Sequence, residues 1–212
     1  MKLIDLTHSI SPTMPVYPGT EPPAFITGCS INETGFLEKK ITFYSHTGTH
    51  IDAPAHLIKG LKTLDLLPIE HFYGTALLLN FDKIKPKTIG VKELDPYHDK
   101  IELVEFLLIH TGWSQYWGTE KYFSDYPVLS LEAANWLNRF GLNGFGLDTI
   151  SADKADTQDY PVHKALLKNN TVVIENLKNL EDLPCNQFKF SCFPLSFEDA
   201  DGSPVRAVAF IQ

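Results

Sequence analysis

Four side chains able to bind a metal or move a proton stand within eleven consecutive positions. They are His46, His50, Asp52 and His56, in "SHTGTHIDAPAH" (45–56), and they use three of the chain's eight histidines. Imidazole with carboxylate is borderline-hard ligation, suited to Zn2+ and also to Mn2+ or Fe2+. Two histidines and an aspartate supply three protein ligands and leave positions open for water. That openness marks a catalytic site, whereas a structural zinc is closed by four ligands. A divalent ion held this way lowers the pKa of a bound water toward ~7, which prepares it to attack a carbonyl. The plainer alternative is a run of ordinary loop histidines, which fits one such residue far better than four.

The spacing H-x3-H-x-D-x3-H limits how the backbone can run. A helix would put His46 and His50 on one face, but Gly48, two threonines and Pro54 oppose it. A continuous strand would point all four side chains to one side. It would also separate His46 from His56 by roughly 33 Å, too far for one small site. The chain must therefore turn inside the motif, most easily at Gly48 and at Ala53-Pro54-Ala55. The expected picture is a strand ending at His46, followed by a loop that curls the four side chains toward one point.

Further ligands would have to come from elsewhere in the chain. Glu175 closes the apolar run "TVVI", where a carboxylate is costly unless something cationic pairs with it. His163 lies just upstream in "YPVHKALLKNN". Together they can complete a second metal position with Asp52 bridging. Asp148 and Asp153, in "GLDTISAD", suit either of two roles: orienting a ligand histidine, or capping and solvating a loop. Arg206 reads as an arginine inside an apolar strand that needs a partner, either a substrate carboxylate or a structural salt bridge. His8, His71 and His98 fall outside any cluster. Trp113, Trp117 and Trp136 read as core or interface aromatics.

These residues need a scaffold. Short apolar or alternating runs at 39–45, 75–81, 104–110, 171–177 and near the C-terminus read as strands, and "GFGLDTIS" as another. "SLEAANWLNRFG" (130–141) reads as a helix capped by Ser130 and ended by Gly141, and 160–170 as a short helix opened near Pro161. Residues 11–23, rich in proline, read as an irregular arm. The sum is a single mixed α/β domain over 1–212, with no phosphate-cradling glycine loop. The chain has 212 residues and a formal net charge of −8, which disfavours nucleic-acid and anionic-membrane partners. Cys29, Cys185 and Cys192 make no paired motif, and no signal-peptide or membrane-span pattern is present, so a cytoplasmic setting is expected.

The histidine motif resembles the signature of the cyclase-like metal-dependent hydrolases, a family that includes bacterial kynurenine formamidases. "PVYPG" (15–19), "GLDTISAD" (146–153), "HKALLKNNTVVIENLKNL" (163–180) and "GSPVRAVA" (202–209) follow in the family's order. The resemblance implies a swivelling β/β/α-type fold and a homodimer or homotetramer. It implies one or two divalent ions, Zn2+ foremost and Mn2+ as alternative. His46, His50 and Asp52 then match ligands of a first metal, and Asp52, His163 and Glu175 those of a second. His56 matches the proton donor and acceptor, and Tyr17 an aromatic that lies over a small-molecule substrate. Two positions depart from the formamidase pattern: Tyr17 stands where tryptophan is usual, and His110 where arginine is common. The implied activity is hydrolysis of an amide such as N-formyl-L-kynurenine. A cyclic amide such as isatin, another small amide or ester, or metal binding without chemistry are the alternatives.

Overall fold

The computed structural model describes residues 1–84, 86–184 and 186–211; Cys185 lies outside them. One nine-stranded sheet organises the chain. In sequence its strands are β1 (Lys2–Asp5), β2 (His50–Asp52), β3 (Tyr73–Asn80), β4 (Phe106–His110) and β5 (Gly144–Leu147). They continue as β6 (Val172–Glu175), β7 (Gln187–Ser191), β8 (Gly202–Pro204) and β9 (Val208–Ile211). Their order across the sheet is β1-β9-β7-β3-β4-β5-β6-β2-β8. Strands β3 to β6 pair in parallel, and the pairs toward both edges are antiparallel. The expected mixed α/β class is therefore the one that forms.

The parallel centre reads as unbroken apolar sequence because both of its faces are covered. Along β3, Ala76 and Leu78 enter one core with Phe106, Leu108, Ile174 and Phe190. Their neighbours Leu77 and Leu79 enter a second core on the opposite face, with Ile109, Phe145 and Val173. Two seven-residue helices, α1 (Leu131–Leu137) and α2 (Pro161–Leu167), cover that second face through Ala133, Ala134, Leu137, Val162, Ala165 and Leu166. Burying each large aliphatic side chain stabilises the fold by roughly 1.5–3 kcal/mol. The glycines of "GFG" belong to this packing. A Cβ on Gly144 would strike Phe106, and one on Gly146 would strike Leu108.

The cap of α1 forms as its sequence predicts: Ser130 Oγ accepts the Ala133 N–H at 3.0 Å. Residues 11–23 contain no regular element, as their prolines require. Two expectations need correction. The run at 39–45 contributes only Glu38–Thr42, which pairs with Ala24–Cys29 as a separate exposed ribbon and stops short of His46. Arg206 sits between β8 and β9, not within a strand. It is largely exposed and grips both carboxylate oxygens of Asp5 at 2.8 Å. The salt-bridge reading of Arg206 therefore holds, although such exposed pairs contribute only about 0–1 kcal/mol. Trp113 and Trp117 pack around buried Tyr122, and His8 stacks on Trp117 at 3.8 Å.

Candidate metal centre and active site

The site is built where β2 lies between β6 and β8. The register sets Glu175 opposite His50 and Val173 opposite Asp52. Residues directly opposite share a face, as do residues two apart in one strand. His50, Asp52 and Glu175 therefore project together on the helix-covered face, while Ile51 and Ile174 fill the core beneath. The sequence reading placed His50 and Asp52 in a loop; they occupy a buried strand instead. The turns fall where expected. Gly48 adopts φ 67, and Pro54–His56 form a single 3-10 turn that swings His56 back toward the site.

Asp52 is the hub of the cluster. One of its oxygens lies 2.6 Å from His46 Nδ1 and 3.3 Å from His50 Nε2, and the other lies 3.5 Å from His163 Nε2. Glu175 completes the floor at 2.9 Å from His163 Nε2 and 3.5 Å from His50 Nε2. The second nitrogen of each of these three histidines has its own anchor. His46 Nε2 meets Asp201 at 3.0 Å, His50 Nδ1 meets the Gly48 carbonyl at 2.8 Å, and His163 Nδ1 meets Asp153 at 2.7 Å. An acceptor on the outer nitrogen fixes the tautomer and turns the other lone pair inward, the arrangement that ligand histidines require. His56 is built differently: its Nδ1 comes no nearer than 3.9 Å to the Asp201 carboxylate.

The donor set fits a divalent cation. Among the described residues, donor atoms within 4.8 Å of one another form two triples, His46/Asp52/His56 and His50/Asp52/Glu175. The triples contain five of the six residues expected to hold metal or move a proton, with Asp52 common to both, and His163 joins them through Asp52 at 3.5 Å and Glu175 at 2.9 Å. The grouping differs from the expected sets, because His56 rather than His50 falls in with His46. Charge follows the same plan. Burial alone would lower the pKa of His46, but Asp52 and Asp201 hold it up to about 10. His163 is likewise buried yet is held high by Asp153, Asp52 and Glu175. Asp52, despite complete burial, is drawn well below the usual carboxylate range by His46 and the other imidazoles. His56 goes the other way: burial pushes it down to about 4, with Asp52 only partly opposing. It is therefore a neutral imidazole at neutral pH.

Four residues that the sequence left open or did not single out take supporting roles. Asp153 fills both roles considered for it. It caps α2 by accepting the Val162 and His163 N–H groups at 3.0 Å, and it also orients the His163 ring. Asp148 does not touch the cluster. It accepts the Thr111 and Trp113 N–H groups at 2.9 Å, so its role is loop support. Asp201 was not singled out from the sequence, and it serves as the outer anchor of His46. Its successor Gly202 is required there, since a Cβ would overlap the His46 ring. Asn176, at φ 57, donates to the Gly48 carbonyl at 2.8 Å and so pins the turn between His46 and His50.

A cavity of about 510 Å3 opens over this cluster, within the usual size range for small-molecule sites. Its other walls are Pro15, Val16, Tyr17, Tyr44, Ile150 and Tyr160. Tyr17 thus lines the cavity beside the cluster. His110 is not part of the lining; it is buried at the end of β4, 4.0 Å from Asp148 and from Glu181. Tyr160 has an unusual backbone, φ 47 and ψ 54, directly before Pro161. That conformation costs an ordinary residue on the order of 1–3 kcal/mol.

Comparison with known proteins agrees with the geometry. Residues 4–154 match the family model described as "Putative cyclase". A kynurenine formamidase of Bacillus cereus (strain ATCC 14579) is 33% identical over 207 residues, covering 97% of this chain and 95% of that protein. Isatin hydrolase A from Ralstonia solanacearum superposes with a TM-score of 0.87 at 25% identity, covering 100% of this chain and 92% of that one. A Bacillus stearothermophilus protein described as a predicted metal-dependent hydrolase superposes with a TM-score of 0.81 at 25% identity, covering 98% of this chain and 97% of that one. The chain belongs to the cyclase family of metal-dependent hydrolases. Relatives it matches are named kynurenine formamidase and isatin hydrolase, and its fold is the one it shares with the solved hydrolases.

Proposed function

We propose that this protein hydrolyses an aryl amide, with N-formyl-L-kynurenine as the first substrate to test and formate and kynurenine as its products. One observation carries the reading. Three histidines turn their inner nitrogens on Asp52, while a fourth, His56, stands unanchored and neutral at the same cavity. His46, His50 and Asp52 would hold one divalent ion, and Asp52, His163 and Glu175 a second, with Zn2+ or Mn2+ suited to these donors. When bound, such an ion supplies Lewis acidity and an acidified water.

The remaining work falls to the chain's own groups. His56 accepts a proton from the attacking water and returns it to the departing aryl amine. An aryl amine leaves more readily than an alkyl amine, so one imidazole suffices. Asp201 and Asp153 keep His46 and His163 fixed while charge shifts beside them. The aromatic walls exclude water and stack on a ring. A second reading, hydrolysis of a cyclic aryl amide such as isatin, has support in the lining itself. Beyond the cluster, the described cavity wall includes Pro15, Val16, Tyr17, Tyr44, Ile150 and Tyr160, an apolar and aromatic surface that suits a flat fused aryl ring.

The test is turnover of N-formyl-L-kynurenine, isatin and a simple aryl ester by the metal-loaded protein. Amide turnover that disappears on chelation and returns with Zn2+ or Mn2+ is expected. Metal binding without turnover of any of the three would reject the hydrolase reading in favour of a binding protein.

The assembly is proposed to be a homodimer or homotetramer. The ribbon of Ala24–Cys29 and Glu38–Thr42 exposes Ile26, Ile31, Phe36, Leu37 and Ile41. A lone two-stranded ribbon is marginal in water, and a second copy would cover it. Light scattering should return a multiple of the chain mass, and Leu37→Glu should shift that mass downward. A monomeric wild type would reject the proposal. The cytoplasm remains the proposed setting, in keeping with free Cys29 and Cys192. No helix among the described residues is long and apolar enough to cross a membrane.

A further inference from the structure

Two of the three inward-turned histidines lean on carboxylates, Asp201 behind His46 and Asp153 behind His163. His50 leans on a neutral group, the Gly48 carbonyl at 2.8 Å. A carbonyl holds an imidazole N–H less strongly than a carboxylate does. Gly48 is also a residue free to rotate, here at φ 67. The aim of His50 at Asp52 and Glu175 therefore depends on what keeps that carbonyl still.

A chain of buried polar groups keeps it still. Asn176 Nδ2 donates to the same carbonyl at 2.8 Å, so the oxygen uses both of its lone pairs. Tyr122 orients the Asn176 amide in turn, its hydroxyl donating to Oδ1 at 2.8 Å. The Asp148 carbonyl is farther from that hydroxyl, at 3.4 Å, so the single phenolic proton goes to Asn176. With Oδ1 taken by a donor, the NH2 end of the amide faces Gly48. The Asn176 backbone is held as well: its N–H donates to the Thr149 carbonyl at 3.0 Å, and its carbonyl accepts the Thr49 hydroxyl at 2.6 Å. Tyr122 comes from a separate aromatic lobe, where Trp113 and Trp117 pack around it and the Trp113 indole N–H donates to its carbonyl at 3.1 Å. Its side chain is fully buried, and a phenylalanine would fill the same space. Packing therefore gives no reason for the hydroxyl.

We infer that Tyr122 and Asn176 are positioning residues for His50: they fix the Gly48 carbonyl, and through it the imidazole, in the orientation that a metal ligand needs. The path runs from the Tyr122 hydroxyl to the Asn176 amide, to the Gly48 carbonyl and to His50 Nδ1. It gives the aromatic lobe a part in the metal centre, and it does for His50 what a carboxylate does for His46 and His163. This inference rests on the metal-centre reading for its affinity test but not for its proton-exchange test.

The experiment compares wild type, Tyr122→Phe, Asn176→Gly and the double variant. Phenylalanine keeps the Tyr122 ring, and glycine accepts the left-handed backbone of Asn176, at φ 57. Should Asn176→Gly fail to fold, Asn176→Asp replaces it, since aspartate accepts the Tyr122 hydroxyl but cannot donate to Gly48. Zn2+ affinity is measured by chelator competition, and exchange of the His50 Nδ1–H proton by 1H–15N NMR on metal-free and Zn2+-loaded protein, with urea unfolding alongside. Asn176→Gly should lower Zn2+ affinity by about tenfold, and Tyr122→Phe by about threefold, the scale of one neutral hydrogen bond. The His50 proton should exchange faster in both. In the Asn176→Gly background, Tyr122→Phe should lower the affinity no further, because the phenol then has no amide to orient. Affinity and exchange that stay at wild-type values in Tyr122→Phe, with only urea stability reduced, overturn the inference and make the hydroxyl a packing feature. Losses that add in the double variant overturn the path through Asn176. If wild type binds no Zn2+, the metal reading falls and exchange decides. Faster exchange at His50 in both single variants then sustains the positioning role, and unaltered exchange rejects it.

Discussion

Replacing His56 by alanine is expected to lower kcat on the productive amide by about 10²–10⁴-fold, the usual contribution of a positioned acid–base group. The metal content of the purified protein is expected to stay at the wild-type level. Both halves of the result follow from how His56 differs from its neighbours. His46, His50 and His163 each have an outer nitrogen held by an acceptor at 2.7–3.0 Å, whereas among the described residues the carboxylate nearest His56 Nδ1 in an ion pair is that of Asp201, at 3.9 Å. Burial keeps it neutral at physiological pH, and a cation nearby would push in the same direction. A neutral, unanchored imidazole can take up a proton and release it. A ligand cannot, because its lone pair is engaged.

The geometry also supplies the competing outcome. His56 lies in a donor triple with His46 and Asp52, so it could instead serve as a ligand. Loss of bound metal in His56→Ala, measured by atomic absorption, would make it one and remove the acid–base assignment. His56→Gln sharpens the comparison. It keeps hydrogen-bonding capacity but cannot cycle a proton, so it should retain metal and remain as inactive as the alanine variant.

How much of this was legible in the sequence depends on the range of the interaction involved. The parallel strands could be read directly, because a strand covered on both faces is written as an apolar run, as in "ALLL" and "TVVI". The α1 cap and the turn at Gly48 are local and were equally plain. His50 and Asp52 were misplaced in a loop because their strand is only three residues long. It is made a strand by β6 and β8, more than a hundred residues away in sequence. The same pairing sets Glu175 opposite His50, and its cost of burial is offset most closely by His163 at 2.9 Å, on a helix the strand pattern does not place. Asp201 and Tyr160 left no usable signal. The first sits in an ordinary turn composition and gains meaning from a histidine 155 positions earlier. The second hides its character in φ, which no residue type announces.

The largest effect on the metal itself should come from Asp52. Asp52→Asn is expected to abolish detectable metal binding and, with it, all activity above background. The reason is its position: among the described residues it is the one carboxylate within 3.5 Å of His46, His50 and His163 together, and it belongs to both donor triples. Its neighbours grade the result. Asp153→Asn and Asp201→Asn leave every ligand in place and weaken only the anchors of His163 and His46. Each should reduce metal affinity by about 10–100-fold, the typical cost of losing a carboxylate behind a ligand histidine. Chelator competition with Zn2+ measures all three variants on one scale. Without metal, Asp52→Asn should also destabilise the fold by about 1–3 kcal/mol in urea unfolding at pH 7, because it removes one of the carboxylates facing the imidazolium groups of His46 and His163, while Asp201, Asp153 and Glu175 remain. Equal losses of affinity at Asp52, Asp153 and Asp201 would show that charge alone holds the ion, and the hub role of Asp52 would fall. A graded loss locates the ion among Asp52 and the inner nitrogens of the three histidines, with the two outer aspartates acting through the rings they hold.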